Sequence, residues 1–226
     1  MKLLKNFYKF EILDSTQDKA FELLKNHNEV VVISEKMLKG RGRYGNTWIS
    51  DIGGLYMSIG FKDKNLDFSK KLLIISPVCI VELLKEYSIN AYIKIPNDIY
   101  YYDKKLCGIL VEIKDNDIVL GIGLNVNQNS FPSEINATSI FLISKRIYNI
   151  DEIAVKIYSA IKNLINYDFE EVVKVYNQYL LLKRYAFEYE GKYYEGNLYG
   201  IDKNHKAVFD IGKFDMFHIR NLRQLE

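Results

Sequence analysis

Residues 91 to 126 constrain this chain more than any other stretch. Three apolar, β-branched runs follow one another there: Ala91 to Tyr102, Lys105 to Ile113 and Ile118 to Val126. Only the polar turns Asp103-Lys104 and Lys114 to Asp117 separate them, too little chain for crossover helices, so they predict an antiparallel meander. Further strands are expected at Phe7 to Leu13, Val30 to Ser34, Trp48 to Ser50 and Leu55 to Phe61, the last two parted by a Gly53-Gly54 turn. Asp14-Ser15-Thr16-Gln17 caps an amphipathic helix running to about Asn26. Leu72 to Tyr87 reads as mostly helix, with Pro77 suiting either its start or a kink. Apolar residues at helical spacing mark two more helices, Ile150 to Ile165 and Phe169 to Leu180.

Beyond Lys183-Arg184 the pattern changes to short strands between Gly or Asn/Asp turns: Phe187 to Tyr189, Tyr193 to Tyr199, Ala207 to Ile211 and Met216 to Ile219. Such spacing suggests a small β-barrel or ribbon. The fold class is therefore α/β (α+β), with one domain over residues 1–182 and a small β-domain over residues 183–226.

Composition excludes several classes. Lys+Arg 31 nearly cancels Asp+Glu 29, a net charge of +2 that argues against a dedicated nucleic-acid binder. Cys79 and Cys107 are too few for a disulfide framework, and His27, His205 and His218 show no metal-ligand spacing. Charged residues interrupt every apolar stretch, and the amino terminus lacks a signal core. The cytoplasm is the expected compartment, with no membrane contact.

Three segments carry candidate chemistry. KGRGRYGNTW, residues 39–48, sets Arg41 and Arg43 among Gly40, Gly42 and Gly45. Glycines let backbone N–H groups converge, and arginine forks match carboxylate or phosphate oxygens. Ordering such a loop is entropically expensive, so it is expected to be mobile until an anion arrives. A solvated basic hairpin is the plain alternative. Next, Lys94, Asn97 and Asp98 surround Pro96, and a tight turn brings Lys105 back beside that corner, just before Gly108. A lysine on rigid strands near a glycine gap suits a ligand charge; a surface lysine in a hairpin is the alternative. In GIGLNVN, Asn125 and Asn127 share a face, either for a ligand or for a neighbouring loop.

Taken in order, DST with Gln17, GRGR-x-G-x-x-W from Gly40 to Trp48, K-x-P-N-D with KKLCGIL, and GIGLNVN resemble the catalytic core of the biotin protein ligases. Each motif is loose alone; four in order, over residues 14–127, are specific. The resemblance implies a central mixed β-sheet flanked by helices, class II aminoacyl-tRNA-synthetase-like, with a small SH3-like C-terminal domain. It implies a biotin–[acetyl-CoA-carboxylase] ligase that uses ATP and Mg2+ to make biotinyl-5′-AMP. The biotin then passes to one lysine of a biotin carboxyl carrier domain.

By family position, Ser15, Thr16 and Gln17 line the biotin pocket with Met37, Gly42 and Gly108. Arg41, Arg43 and Lys105 touch both acid and phosphate. Trp48, Asn97, Asn125 and Asn127 lie on the nucleotide side. Asp98 is the candidate to attract or deprotonate the acceptor amine. Three departures stand out. Met37 replaces a frequent Gln, Asn46 a frequent Arg, and Ile95 the usual Trp of the proline motif. The chain begins almost at DST, so no helix-turn-helix and no operator DNA binding are expected. Exposed edge strands permit a homodimer. Two rivals remain: a lipoate–protein ligase, and a non-catalytic biotin or nucleotide sensor.

Overall fold

Burial on both faces sets the architecture. In the computed structural model, which describes residues 6 to 225, every residue of one strand, β3 (Gly54–Phe61), is buried. Only a strand covered by other elements on either side achieves that. It is the third strand of a seven-stranded sheet ordered β1-β2-β3-β7-β6-β5-β4. The members are β1 (Phe7–Leu13), β2 (Glu29–Met37), β3, β4 (Tyr92–Lys94), β5 (Asp98–Tyr101), β6 (Lys104–Lys114) and β7 (Asp117–Asn125). All neighbours run antiparallel except β1 and β2, which need a crossover and receive it from helix α1 (Thr16–Leu24). The sheet is mixed, as the resemblance implies.

Alternation assigns the two faces. Val30 and Val32 of β2 and Val119 of β7 meet Ala20 and Leu24 of α1. Their neighbours Val31, Ile33, Ile118 and Leu120 join the larger core on the other face. There α2 (Leu66–Glu86) packs with two later helices, α4 (Ile150–Ile165) and α5 (Phe169–Tyr179). Between β7 and α4 lies α3 (Ile140–Ser144), a single turn capped by Ser139 that periodicity does not reveal. No helix among the described residues is long and apolar enough to cross a membrane.

A second sheet of five antiparallel strands follows, ordered β11-β10-β9-β8-β12. It holds β8 (Arg184–Tyr189), β9 (Lys192–Ile201), β10 (Lys206–Phe209), β11 (Gly212–Asp215) and β12 (Arg220–Gln224). Phe187 packs on Phe209 at 4.6 Å and on Phe214 at 5.0 Å between ring centroids. Its apolar residues are continuous with the large core through Tyr176 and Tyr185. Lys70 and Asp215 tie it to α2 at 3.0 Å.

Four sequence expectations need correction. Ala91 to Tyr102 is not one strand but the β4–β5 hairpin, Tyr92 pairing with Tyr100. Pro96 has no N–H for a ladder, and the chain turns there. Trp48 to Ser50 is not a strand, because Trp48 turns onto the sheet instead of pairing beside it. The helix expected from Leu72 begins at Leu66, where Asn65 accepts from Phe68 N at 2.9 Å, and Pro77 lies in its interior. Met216 to Ile219 forms a turn between β11 and β12, in which Asp215 Oδ1 accepts from Phe217 N at 2.9 Å.

Candidate active site

Period-two alternation predicts the floor of the site. On the face under α1, β6 presents Gly108, Leu110 and Glu112, and β7 presents Val119, Gly121 and Gly123. Gly108 pairs with Gly123 and Leu110 with Gly121, so three glycines gather without side chains. Filling the gap above them is the Trp48 indole. A Cβ on Gly108 would lie 2.7 Å from that ring, and one on Gly123 2.6 Å from it. Around this trough opens a cavity of about 530 Å3, a size suited to a small molecule.

Trp48 is the chain's single tryptophan, so its seat can be watched directly. Gly123→Ala is expected to lift the indole off the sheet, shifting its fluorescence emission to the red. Overpacking of this kind costs about 1–3 kcal/mol. Unchanged emission from a folded Gly123→Ala protein would show that the ring does not rest there.

The wall comes from the start of α1. Ser15 is the N-cap, accepting from Asp18 N at 3.4 Å. That role explains why a short hydroxyl stands at this position. Thr16 Oγ1 accepts from Ser58 Oγ at 2.8 Å. Met37, at the end of β2, brings its sulfur to 3.4 Å from Thr16 N and 3.5 Å from Thr16 Oγ1. Gln17 Nε2 donates to Glu112 Oε2 at 2.9 Å.

The charged groups divide into two kinds. Arg41 is saturated: its Nε, Nη1 and Nη2 donate to Glu112, Asp18 and Ser15 at 2.8–3.1 Å. Those five bonds use all five guanidinium N–H groups. Hydrogen bonding to Arg41 also pulls the Asp18 carboxyl below its usual range. In this arrangement Arg41 braces the α1 cap against β6 and is not free to meet an anion. Arg43 instead donates through Nη2 to Phe217 O at 2.9 Å and Ile219 O at 3.1 Å, in the second sheet's turn. Burial pulls its guanidinium pKa down. Beside it the Tyr44 ring lies between two guanidinium groups, Arg43 at 4.8 Å and Arg220 at 4.7 Å. Protein contacts thus hold the loop as a hairpin, with Arg41 bridged to Thr47 and the turn at Tyr44 and Gly45.

Lys105 is the charge best placed to meet a ligand. Its Nζ stands 2.7 Å from Asp98 Oδ1 and 5.3 Å from the Trp48 ring. The contact with Asp98 is a close ion pair in which both side chains remain partly exposed to the cavity. Lys94 lies over Tyr100 at 5.0 Å, and burial lowers its pKa. Asn97 is held on β6 by Nδ2 donating to Ile109 O at 2.6 Å.

The cavity brings together Ser15, Thr16, Gln17 and Met37 from the helix cap and strand end. It adds Arg41, Gly42, Arg43 and Trp48 from the loop, and Asn97, Asp98, Lys105 and Gly108 from the meander. Asn125 and Asn127 are not among its lining residues. Asn125 Nδ2 donates to Thr138 O at 2.9 Å, and Asn127 exchanges two bonds with the Tyr148 backbone. Their amides fasten the segment after β7, the loop-pairing alternative for this pair. Asp18, Glu112, Tyr44 and Arg220 were missed. Glu112 alone had a local signal, a charge on the same strand face as Gly108.

Residues 10–129 match the Biotin/lipoate A/B protein ligase family. The chain is 37% identical over 144 residues to the bifunctional ligase/repressor BirA of Bacillus subtilis, covering 58% of this chain and 44% of that protein. It is 31% identical over 120 residues to a biotin–[acetyl-CoA-carboxylase] ligase of Mycobacterium tuberculosis, covering 49% of this chain and 44% of that one. The chain thus spans less than half the length of these curated relatives. Among solved structures, a biotin protein ligase from Aquifex aeolicus in complex with biotin and ATP superposes with a TM-score of 0.82. It is 28% identical, over 98% of this chain and 100% of that one.

Proposed function

Because this chain belongs to the biotin/lipoate A/B protein ligase family, we propose that it is a biotin–protein ligase acting on a biotin carboxyl carrier domain. The observation that carries this reading is Lys105 beside the glycine trough, a cation at one end of a cavity whose other end is the buried polar cap of α1. In the first step a biotin carboxylate oxygen attacks the α-phosphorus of ATP, and pyrophosphate leaves with the electrons of the broken P–O bond. Two anions must meet, so Lys105 and Arg43 are assigned to hold them together and to stabilise the charge that develops. In the second step the acceptor lysine attacks the acyl carbon. An amide forms, AMP departs, and the amine proton is lost. Asp98 is assigned to attract that amine once Lys105 has turned to the acid. Trp48, Asn97, Asn125 and Asn127 are assigned to the nucleotide side, the last two through the backbone they fasten.

Among the described residues no three His, Cys, Asp or Glu side chains gather as a metal cage. The nearby carboxylates Asp18 and Glu112 are paired with Arg41, and Asp98 with Lys105. Mg2+ is assigned to ATP as co-substrate, where it would neutralise the leaving pyrophosphate. Two domains, residues 1–182 and 183–226, and a cytoplasmic setting belong to the same reading.

The test is to incubate the protein with Mg-ATP, an apo biotin carboxyl carrier domain and either biotin or lipoate, then to weigh the carrier intact. A mass gain with biotin alone is expected. A gain with lipoate alone, or with neither acid, would sink the reading.

A further inference from the structure

The connection between β11 and β12 is the part of the second sheet that grips the glycine loop, and no strand ladder holds it. β11 and β12 are the two outer strands of that sheet, so residues 216–219 cross from one edge to the other. Two contacts from Asp215, where β11 ends, fix the crossing. Its backbone carbonyl accepts from His218 N at 3.0 Å, and its side-chain Oδ1 accepts from Phe217 N at 2.9 Å. The other oxygen, Oδ2, accepts from Lys70 Nζ of α2 at 3.0 Å. Burial alone would raise the Asp215 pKa; the bonds from Phe217 N and Lys70 outweigh it and hold the carboxyl below its usual range. One carboxylate thus does two separable things: Oδ2 anchors the sheet on α2, and Oδ1 shapes the crossing. The Phe217 and Ile219 carbonyls set by that crossing receive Arg43 Nη2 at 2.9 and 3.1 Å and the Tyr44 hydroxyl at 3.1 and 3.2 Å. Only one nitrogen of Arg43 is spent in this way. Among the described residues its Nε and Nη1 donate to no protein group, and the residue lines the cavity. The carbonyls hold one edge of the guanidinium and leave the other for an anion.

We propose that Asp215 is a positioning residue for adenylate formation: by fixing residues 216–219 it sets the two carbonyls that aim the free edge of Arg43 at the cavity. The proposal rests on the ligase reading above, which assigns Arg43 to the meeting of acid and α-phosphate. An arginine between Gly42 and Gly45 has a backbone with little restraint of its own. Gripping its guanidinium from one side removes that freedom before the reactants arrive, and a misplacement of about 1 Å is enough to cost about 100-fold in rate. The loop cannot supply the grip itself. Tyr44 sits in the left-handed region at φ 56°, which residues other than glycine keep only where their surroundings hold them. Its hydroxyl reaches the same two carbonyls, so the crossing holds that conformation as well. Asp215 is not among the residues lining the cavity, and it acts through the crossing without touching a ligand.

Single-turnover release of pyrophosphate from Mg-ATP and biotin, measured on the whole chain, separates the two oxygens. Lys70→Met removes the anchor and leaves Oδ1 on Phe217 N. It is expected to lower the melting temperature while the rate stays within about threefold of wild type. Asp215→Ala removes both contacts and is expected to slow release about 10- to 100-fold. Placed on Arg43→Ala, the same substitution is expected to slow release by less than about threefold more, because the residue it aims is already gone. An anchor alone would cost the same factor in both backgrounds. Trypsin gives a readout that needs no substrate. Loosened from the crossing, the loop of Asp215→Ala is expected to be cut after Arg43 about three- to tenfold faster than that of wild type or Lys70→Met. If Asp215→Ala does not fold, Lys70→Met/Asp215→Leu, which leaves no unpaired charge, is expected to show the same loss of rate. Equal losses in the two backgrounds, a loss from Lys70→Met as large as that from Asp215→Ala, or a loop cut no faster would overturn the role of Asp215 and leave the ligase reading standing. Wild type that releases no pyrophosphate with biotin would overturn both.

Discussion

Lys105→Met is expected to slow formation of biotinyl-5′-AMP by about 100- to 1,000-fold, the usual loss when one positioned charge-stabilising donor is removed. The fold should survive, because the side chain lies at the cavity wall with Asp98 as its one ion-pair partner among the described residues. Two effects add. The acid and the α-phosphate lose the cation between them, and Asp98 is left as an unpaired negative charge facing both. Arg41 cannot substitute, since its N–H groups are all taken. Pyrophosphate release in a single turnover measures the effect, and a loss below about tenfold would assign the charge to Arg43 or Lys94 instead. Asp98→Asn should separate the steps, sparing activation and slowing transfer from preformed adenylate. Unchanged transfer would remove Asp98 from the second step.

What could be read from the sequence was local. Ser15 announces a helix start because an N-cap acts within three residues. Gly108 announces a gap beside Lys105 because period two and a tight turn fix which residues share a face, whereas its pairing with Gly123 and the place of Gly121 beside it come from the register of β6 on β7. Pairings across long stretches of chain were not legible. Arg41 meets Glu112 across 71 residues, and Arg43 meets the Phe217 carbonyl across 174. A pair of arginines in a glycine loop therefore read as two ligand-binding charges, although one of them braces a helix cap. The hairpin at Pro96 was lost for a different reason. Ile93, Ile95 and Ile99 are all buried, and a continuous apolar run masks the turn inside it.

Arg41→Ala is expected to lower both stability and rate, through one cause. The substitution leaves Asp18 and Glu112 facing each other without the guanidinium that bridges them at 2.9 and 2.8 Å. These groups are partly exposed, so the penalty is well below that of a buried pair, about 1–2 kcal/mol. In a chain of this size that is about 2–8 °C in melting temperature. The rate should fall further, about 10- to 100-fold, because Glu112 also holds the Gln17 amide and Ser15 loses a donor, so the pocket wall shifts. Arg41→Lys should not rescue, since an ammonium cannot fork onto two carboxylates at once. Acid supplies the control. Hydrogen bonding to Arg41 depresses the Asp18 pKa in the folded protein, so its share of the stability is complete above the unfolded carboxyl value of about 3.9. It is lost as the pH falls through the lower folded value. The gap in melting temperature between wild type and Arg41→Ala should therefore be widest near neutrality and narrow in acid. A gap that holds its size through that range would mean that Arg41 supports the cap by packing and not by charge.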